Sequence, residues 1–141
     1  MWTVCVVDDD APLRRALRRL LQGVGFAVET FASAEDYLAT EHVVPPPDCL
    51  VLDIRLGALS GFDLHERLRA AGLSIPIIFI TGHDDASTRE QARRVGAAGY
   101  VRKPFDEASL VSAIETALAG SSDGRATPET RGEAAEGKRS A

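Results

Sequence analysis

Cys49-Leu50-Val51-Leu52-Asp53 runs four apolar residues without interruption into a carboxylate. A short continuous apolar run marks a strand buried on both faces, as in a parallel sheet, and the acid that ends it is carried out of the core to the sheet edge. The pattern recurs along the chain. Trp2-Thr3-Val4-Cys5-Val6-Val7 stops at Asp8-Asp9-Asp10, Pro76-Ile77-Ile78-Phe79-Ile80 ends on Thr81, and Tyr100-Val101-Arg102 leads into Lys103-Pro104. Phe26 to Phe31 reads as a fifth, shorter strand with partial alternation.

Helical patterns fill the intervals. Asp10 is an N-cap with Pro12 in the first turn, and Leu13, Ala16, Leu17, Leu20, Leu21 and Val24 recur at helical spacing, with Arg14, Arg15, Arg18 and Arg19 on the other face and Gly23 and Gly25 at the end. Ser33 with Asp36 starts a second helix, whose apolar contacts are Tyr37 and Leu38, and Pro45-Pro46-Pro47 forbids its continuation. A third helix is expected over Phe62 to Ala71, with Leu64, Leu68 and Ala71 inward and Gly72 as its stop. The fourth, from Asp84 or Asp85 to Val95, has a thin apolar stripe of Ala86, Ala92 and Val95, which predicts weak docking. The last runs from about Asp106 to Ala119 and turns Leu110, Ile114, Ala117 and Leu118 to the sheet.

Alternating strands and helices predict an α/β fold, a five-stranded parallel sheet with right-handed crossovers and helices on both faces. One domain over residues 1–120 is expected, followed by a polar segment, 121–141, that lacks apolar anchors and reads as disordered. At 141 residues the chain is too short for a second catalytic domain. Its formal charge of −5 argues against a nucleic-acid surface, and its apolar runs are strand-length rather than membrane-spanning. Cys5 and Cys49 both lie in apolar runs and read as reduced core residues of a cytoplasmic protein.

In such a sheet, functional groups gather at the carboxyl ends of the strands where the strand order reverses. With the order 2-1-3-4-5, the first and third strands are neighbours and Asp8, Asp9 and Asp53 converge. Three carboxylates so close repel one another unless a cation compensates, and hard oxygen donors with room for phosphate oxygens suit Mg²⁺. Lys103 adds positive charge and Thr81 a hydroxyl donor. Together they describe a site that neutralises a phosphoryl group during in-line transfer to a carboxylate.

On these residues the sequence resembles a response-regulator receiver domain, the CheY-like phosphoacceptor module of two-component signalling, over roughly residues 2–119. The resemblance implies that Asp53 accepts phosphate from the phosphohistidine of a sensor kinase or histidine phosphotransfer protein. It implies Mg²⁺ held by Asp8, Asp9, Asp53 and the Arg55 backbone carbonyl, with Asp8 acting mainly through water. Thr81 would bond the phosphoryl group and Lys103 would pair with it. Tyr100 fills the aromatic switch position, Arg55 and His83 fill positions that influence phosphate lifetime, and Lys103-Pro104 matches a site that commonly holds a cis peptide. Leu56-Gly57-Ala58 lacks the proline that receivers often carry there, which predicts a longer-ranging or more mobile loop after Asp53.

The implied function is a stand-alone phosphorylation switch whose fourth helix, fifth strand and fifth helix form a partner or dimer surface toward a downstream protein. It is expected not to be an enzyme in its own right and to bind neither nucleic acid nor membrane. Two alternatives come from other classes: a phosphorylation-independent pseudo-receiver, opposed by the intact Asp53 and Lys103, and an aspartyl-phosphate phosphatase. The latter needs a general acid two residues after the nucleophile, where Arg55 stands. The arginine face of the first helix reads as a solvated face, with docking of a kinase or phosphotransfer helix bundle as the alternative.

Overall fold

Side chains along the central strands alternate between two separate apolar layers. In the computed structural model, which describes residues 1–40 and 45–125 and the side chains up to residue 120, the strands are β1 (Thr3–Val7), β2 (Ala27–Phe31), β3 (Cys49–Asp53), β4 (Ile77–Thr81) and β5 (Gly99–Arg102). All pairings are parallel, in the order β2-β1-β3-β4-β5. Val4, Val6, Cys49, Val51, Ile78 and Ile80 face one layer, while Cys5, Val7, Leu50, Leu52, Ile77 and Phe79 face the other. Period-two alternation explains the division, and burial on both faces explains why β3 and β4 read as continuous apolar runs.

Two helices cover the first layer. From α1 (Ala11–Val24) come Leu17 and Leu21, and from α5 (Glu107–Arg125) come Leu110, Ile114, Ala117 and Leu118. The second layer is closed by Tyr37 of α2 (Ala34–Leu38), Leu64 and Leu68 of α3 (Gly61–Ala70), and Ala92 of α4 (Ala86–Arg94). Local chemistry starts each of the first four helices. Asp10, Ser33, Ser60 and Asp85 accept from the backbone N–H three residues on, and Ser60 and Asp63 complete a reciprocal capping box.

Several expected faces and limits shift. Ala16, Val24, Ala71 and Ala86 are exposed rather than inward, because the helices turn a narrower stripe to the sheet than their spacing suggested. Serine capping starts α3 at Gly61, one residue before Phe62. Helix α5 does not stop at Ala119 but runs to Arg125, and residues 126–141, which cover most of the expected polar segment, lie outside the described residues. Among the described residues no helix is long and apolar enough to cross a membrane.

Both cysteines are sealed in the core, Cys49 wholly and Cys5 at 1% exposure. Burial disfavours their thiolates, pushing Cys49 up to about 12 and raising Cys5 as well. Neither thiol should therefore react with an aromatic disulfide reagent in the native protein at neutral pH, and both should react once the chain is unfolded in guanidinium. Rapid labelling of the native protein would contradict this packing.

Candidate functional site

The strand registers bring the site together before any side chain is considered. Val7 lies opposite Leu52, so Asp8 and Asp53 leave neighbouring strands side by side. On the other side Asp53 pairs with Ile80 and Thr81 with Arg102, which sets Thr81 at the tip of β4 and Lys103 one step past β5. Asp8 is fully buried, Asp53 is 5% exposed and Thr81 1%, whereas Asp9 is exposed. The peptide between Lys103 and Pro104 is cis.

Lys103 spans the cluster. Its Nζ donates to Asp8 Oδ2 at 2.8 Å and to Asp53 Oδ2 at 3.2 Å. Asp8 Oδ1 accepts from the Asp10 N–H at 2.9 Å, and Asp53 Oδ1 accepts from the Arg55 N–H at 3.2 Å. Thr81 Oγ1 accepts from the His83 N–H at 2.9 Å, while the Thr81 carbonyl accepts from the Lys103 N–H at 2.7 Å.

Burial, and then the Asp8 charge, hold the Asp53 carboxyl above the ordinary carboxylate range against the opposing pull of Lys103. For Lys103 burial works toward a lower value, but the hydrogen bond and charge of Asp8, joined by Asp53, outweigh it and leave the ammonium above its usual range. Two buried acids thus share one firmly protonated amine.

Asp8, Asp9 and Asp53 each offer a carboxylate oxygen, and the three oxygens lie within 4.8 Å of one another. An all-oxygen donor set with one exposed member, open to water, is the hard-ligand chemistry that Mg²⁺ prefers. The residues therefore fit that ion.

Around the cluster the structure adds contacts that the sequence pattern did not show. Arg14 Nη1 donates to the Asp8 carbonyl at 2.7 Å, and Arg18 donates to the Val28 carbonyl at 3.1 Å and to Thr30 Oγ1 at 3.2 Å. Two of the four α1 arginines are thus tied to strands rather than simply solvated. No local signal marks them, since all four share one face of the pattern.

The loop after Asp53 is anchored, not long-ranging. Ile54 and Leu56 are 8% and 4% exposed, and the Gly61 N–H donates to the Ile54 carbonyl at 2.8 Å. A Cβ on Gly61 would stand 2.6 Å from the Asp53 carbonyl oxygen and 3.0 Å from Ile54 Cα, so only glycine permits this return of the chain. Buried Leu56 supplies the anchor that a proline would otherwise give through stiffness.

Tyr100 is half-buried, and its hydroxyl donates to Asp84 Oδ1 at 2.8 Å. Burial, followed by the Asp84 carboxylate, pushes the phenol up to about 12. Arg55 and His83 are exposed near the acid cluster, and His83 Nε2 lies 3.9 Å from Asp85 Oδ2.

The sequence matches the family described as the response regulator receiver domain over residues 4–115. The chain belongs to this family. Nodulation protein W of Bradyrhizobium diazoefficiens is 42% identical over 115 residues, which cover 81% of this chain and 50% of that protein. The transcriptional regulatory protein FixJ of Rhizobium meliloti is 39% identical over 116 residues, covering 82% and 56%. A crystal structure of a response regulator receiver protein from Burkholderia phymatum is 42% identical, with a TM-score of 0.75 over 84% of this chain and 95% of that one. The chain spans about half the length of these two curated relatives. Receivers are signalling switches rather than enzymes of the usual kind, they bind Mg²⁺ at an acidic pocket, and they work between histidine kinases and downstream effectors.

Two expectations follow from the geometry of this receiver. Gly61→Ala should lose about 1–3 kcal/mol through backbone overpacking, read as a lower urea midpoint at an unchanged slope. Asp53→Asn should raise the urea midpoint at neutral pH in the presence of a metal chelator. A raised native carboxyl pKa makes the native state hold a proton longer than the unfolded chain, so wild-type stability falls as pH rises through that window. The advantage of the Asn variant should therefore be absent below the ordinary Asp range and complete above the raised value. A gain that persisted at low pH would point to packing instead of charge.

Proposed function

We propose that this receiver is switched by transfer of a phosphoryl group from a phosphohistidine to Asp53, and that the switch is read out on the surface formed by α4, β5 and α5. The observation that carries this reading is the Lys103 ammonium bridging Asp8 and Asp53 at the tips of adjacent strands. The carboxylate of Asp53 is held in place from three directions. Strand pairing fixes its backbone, Arg55 N–H holds Oδ1 and Lys103 holds Oδ2. A nucleophile with so little freedom is already oriented for in-line attack on phosphorus, with the P–N bond to the donor imidazole breaking as the new O–P bond forms.

Mg²⁺ held by Asp8, Asp9, Asp53 and the Arg55 carbonyl would neutralise charge on the phosphoryl oxygens. Lys103 then pairs with the phosphoryl group through the charge it now divides between two carboxylates. Thr81 turns its hydroxyl from the His83 N–H toward the same group. Arg55 and His83, exposed beside the site, govern the access of water to the acyl phosphate; alanine at either position should change the rate at which the phosphorylated chain decays. The surface reading rests on α4, where Ala92 is the one buried residue, so few apolar contacts oppose its rearrangement.

The partner upstream is a sensor histidine kinase or a phosphotransfer protein, and downstream a protein target or a second copy of the receiver. The proposal concerns the receiver itself and holds equally for a chain acting alone or joined to an output domain.

Incubation with a small phosphodonor and Mg²⁺ should add the mass of one phosphoryl group in an acid-labile linkage. Chelation of Mg²⁺ and Asp53→Ala should each abolish the addition, and Lys103→Ala should weaken its consequences for α4. An equal mass increase on Asp53→Ala would overturn the assignment.

A further inference from the structure

Asp84, three residues past Thr81, gathers the polar contacts of the weakly packed end of the sheet. Its side chain is only 10% exposed. Oδ1 accepts from the Tyr100 hydroxyl on β5 at 2.8 Å and from Arg89 Nη1 on α4 at 2.8 Å, and Oδ2 accepts from Arg102 Nη1 on β5 at 3.4 Å. One carboxylate therefore joins the β4–α4 loop, the first half of α4 and the outermost strand. The apolar support beside this link is thin: α4 buries Ala92 alone, and Val95, Ala97 and Tyr100 are only partly buried against the same layer.

The carboxylate is also mechanically close to the site. Thr81 Oγ1 accepts from the His83 N–H, closing a two-residue turn whose next residue is Asp84. A hydroxyl that rotates toward Asp53 gives up that bond and frees the Gly82–His83 peptide, one residue before Asp84. Asp84 can then shift only by stretching or releasing Tyr100, Arg89 and Arg102. The arrangement in which Thr81 serves the loop and the arrangement in which Asp84 holds all three donors are therefore the same arrangement.

We propose that Asp84 is a latch: by clamping Tyr100, Arg89 and Arg102 it holds α4 and β5 in the conformation that disfavours phosphorylation. This deepens the reading of Asp53 as phosphoacceptor and rests on it. A ligand whose competent conformation is only partly populated binds more weakly by that fraction, so releasing the latch should tighten binding at the acceptor site without any change in the site itself. The Asp84 carboxyl titrates below the ordinary carboxylate range, first because of the Tyr100 hydrogen bond and then because of Arg89, which agrees with a carboxylate that is charged and engaged.

The test uses beryllofluoride as phosphoryl mimic at saturating Mg²⁺, on the whole chain. Asp84→Ala should lower the apparent dissociation constant by about three- to tenfold, Tyr100→Phe by no more than that, and the double variant no further than Asp84→Ala, because both changes cut one linkage. In the presence of chelator and without fluoride, amide hydrogen exchange over Ala86–Arg94 should be faster in Asp84→Ala, with Gly61–Ala70 unchanged. Unaltered or weakened beryllofluoride binding in Asp84→Ala overturns the latch, as does a double variant whose effects multiply. If the wild type binds no beryllofluoride at all, the phosphoacceptor reading fails; the exchange comparison then decides the clamp alone, and unchanged α4 exchange overturns it.

Discussion

The Lys103 ammonium is the interaction on which the functional edge of this sheet depends. Asp8 and Asp53 end adjacent strands, and both are buried, so two carboxylates face each other where water cannot screen them. Charge compensation has to come from the side. Lys103 stands one residue past β5, and β4 lies between β5 and β3, so the side chain crosses the tip of β4 to reach its two partners. Its stem runs beside Gly82, with Cδ 4.0 Å from where a Cβ would stand. Four of the five strands are consequently tied through one charge or lie beneath it, and Thr81 is placed within that span by β4 alone.

Behind this charge the backbone is equally constrained. Arg14 on α1 donates to the Asp8 carbonyl, and the Asp8 N–H donates to the Phe31 carbonyl at the end of β2. Gly61 admits the chain against the Asp53 carbonyl, and the buried Ile54 and Leu56 pin the stretch between. Strands, a helix and a loop thus converge on two peptide units. For the in-line phosphoryl transfer proposed for Asp53 this support matters, because freedom at its Cα would be lost as entropy in the transition state.

The parts of this design that a sequence can show are those written in a short repeat. Buried strands announce themselves as apolar runs, and the residue ending each run is then a sheet-edge residue by construction, which is why Asp8, Asp53, Thr81 and Lys103 were legible before their geometry was known. The cap residues Asp10 and Ser33 were legible for the same reason, since capping acts within three residues. Relations between distant segments leave no such trace. Arg14 and Arg18 look like Arg15 and Arg19 in the helix pattern, and only the nearness of Asp8 and Thr30 separates them. Gly61 reads as a loop glycine that lets backbone groups come close to the acid, yet the atom it must clear, the Asp53 carbonyl oxygen, is set by the approach of another element. Small residues misled in the opposite direction: Ala16, Ala71 and Ala86 fit an apolar stripe but bury little surface, so the fold gains little by turning them inward and leaves them exposed.

These two kinds of constraint divide the molecule. The tips of β1 and β3 are held by apolar burial on both faces together with charge, and neither can be released without opening the core. Toward β5 the support changes character. The strand is only partly buried, α4 contributes a single buried alanine, and beside the partial packing of Tyr100, Val101 and Val95 the attachment is polar and exchangeable, gathered on Asp84. Hydrogen bonds of this kind contribute modestly and can be exchanged for water or for one another, whereas buried apolar area cannot. A fold arranged this way has a fixed place for chemistry and an adjacent place for movement. The boundary between them runs through Thr81, whose carbonyl belongs to the ladder and whose hydroxyl belongs to the loop. Movement of that hydroxyl can therefore disturb α4 and β5 while leaving the strand that carries Asp53 where it is.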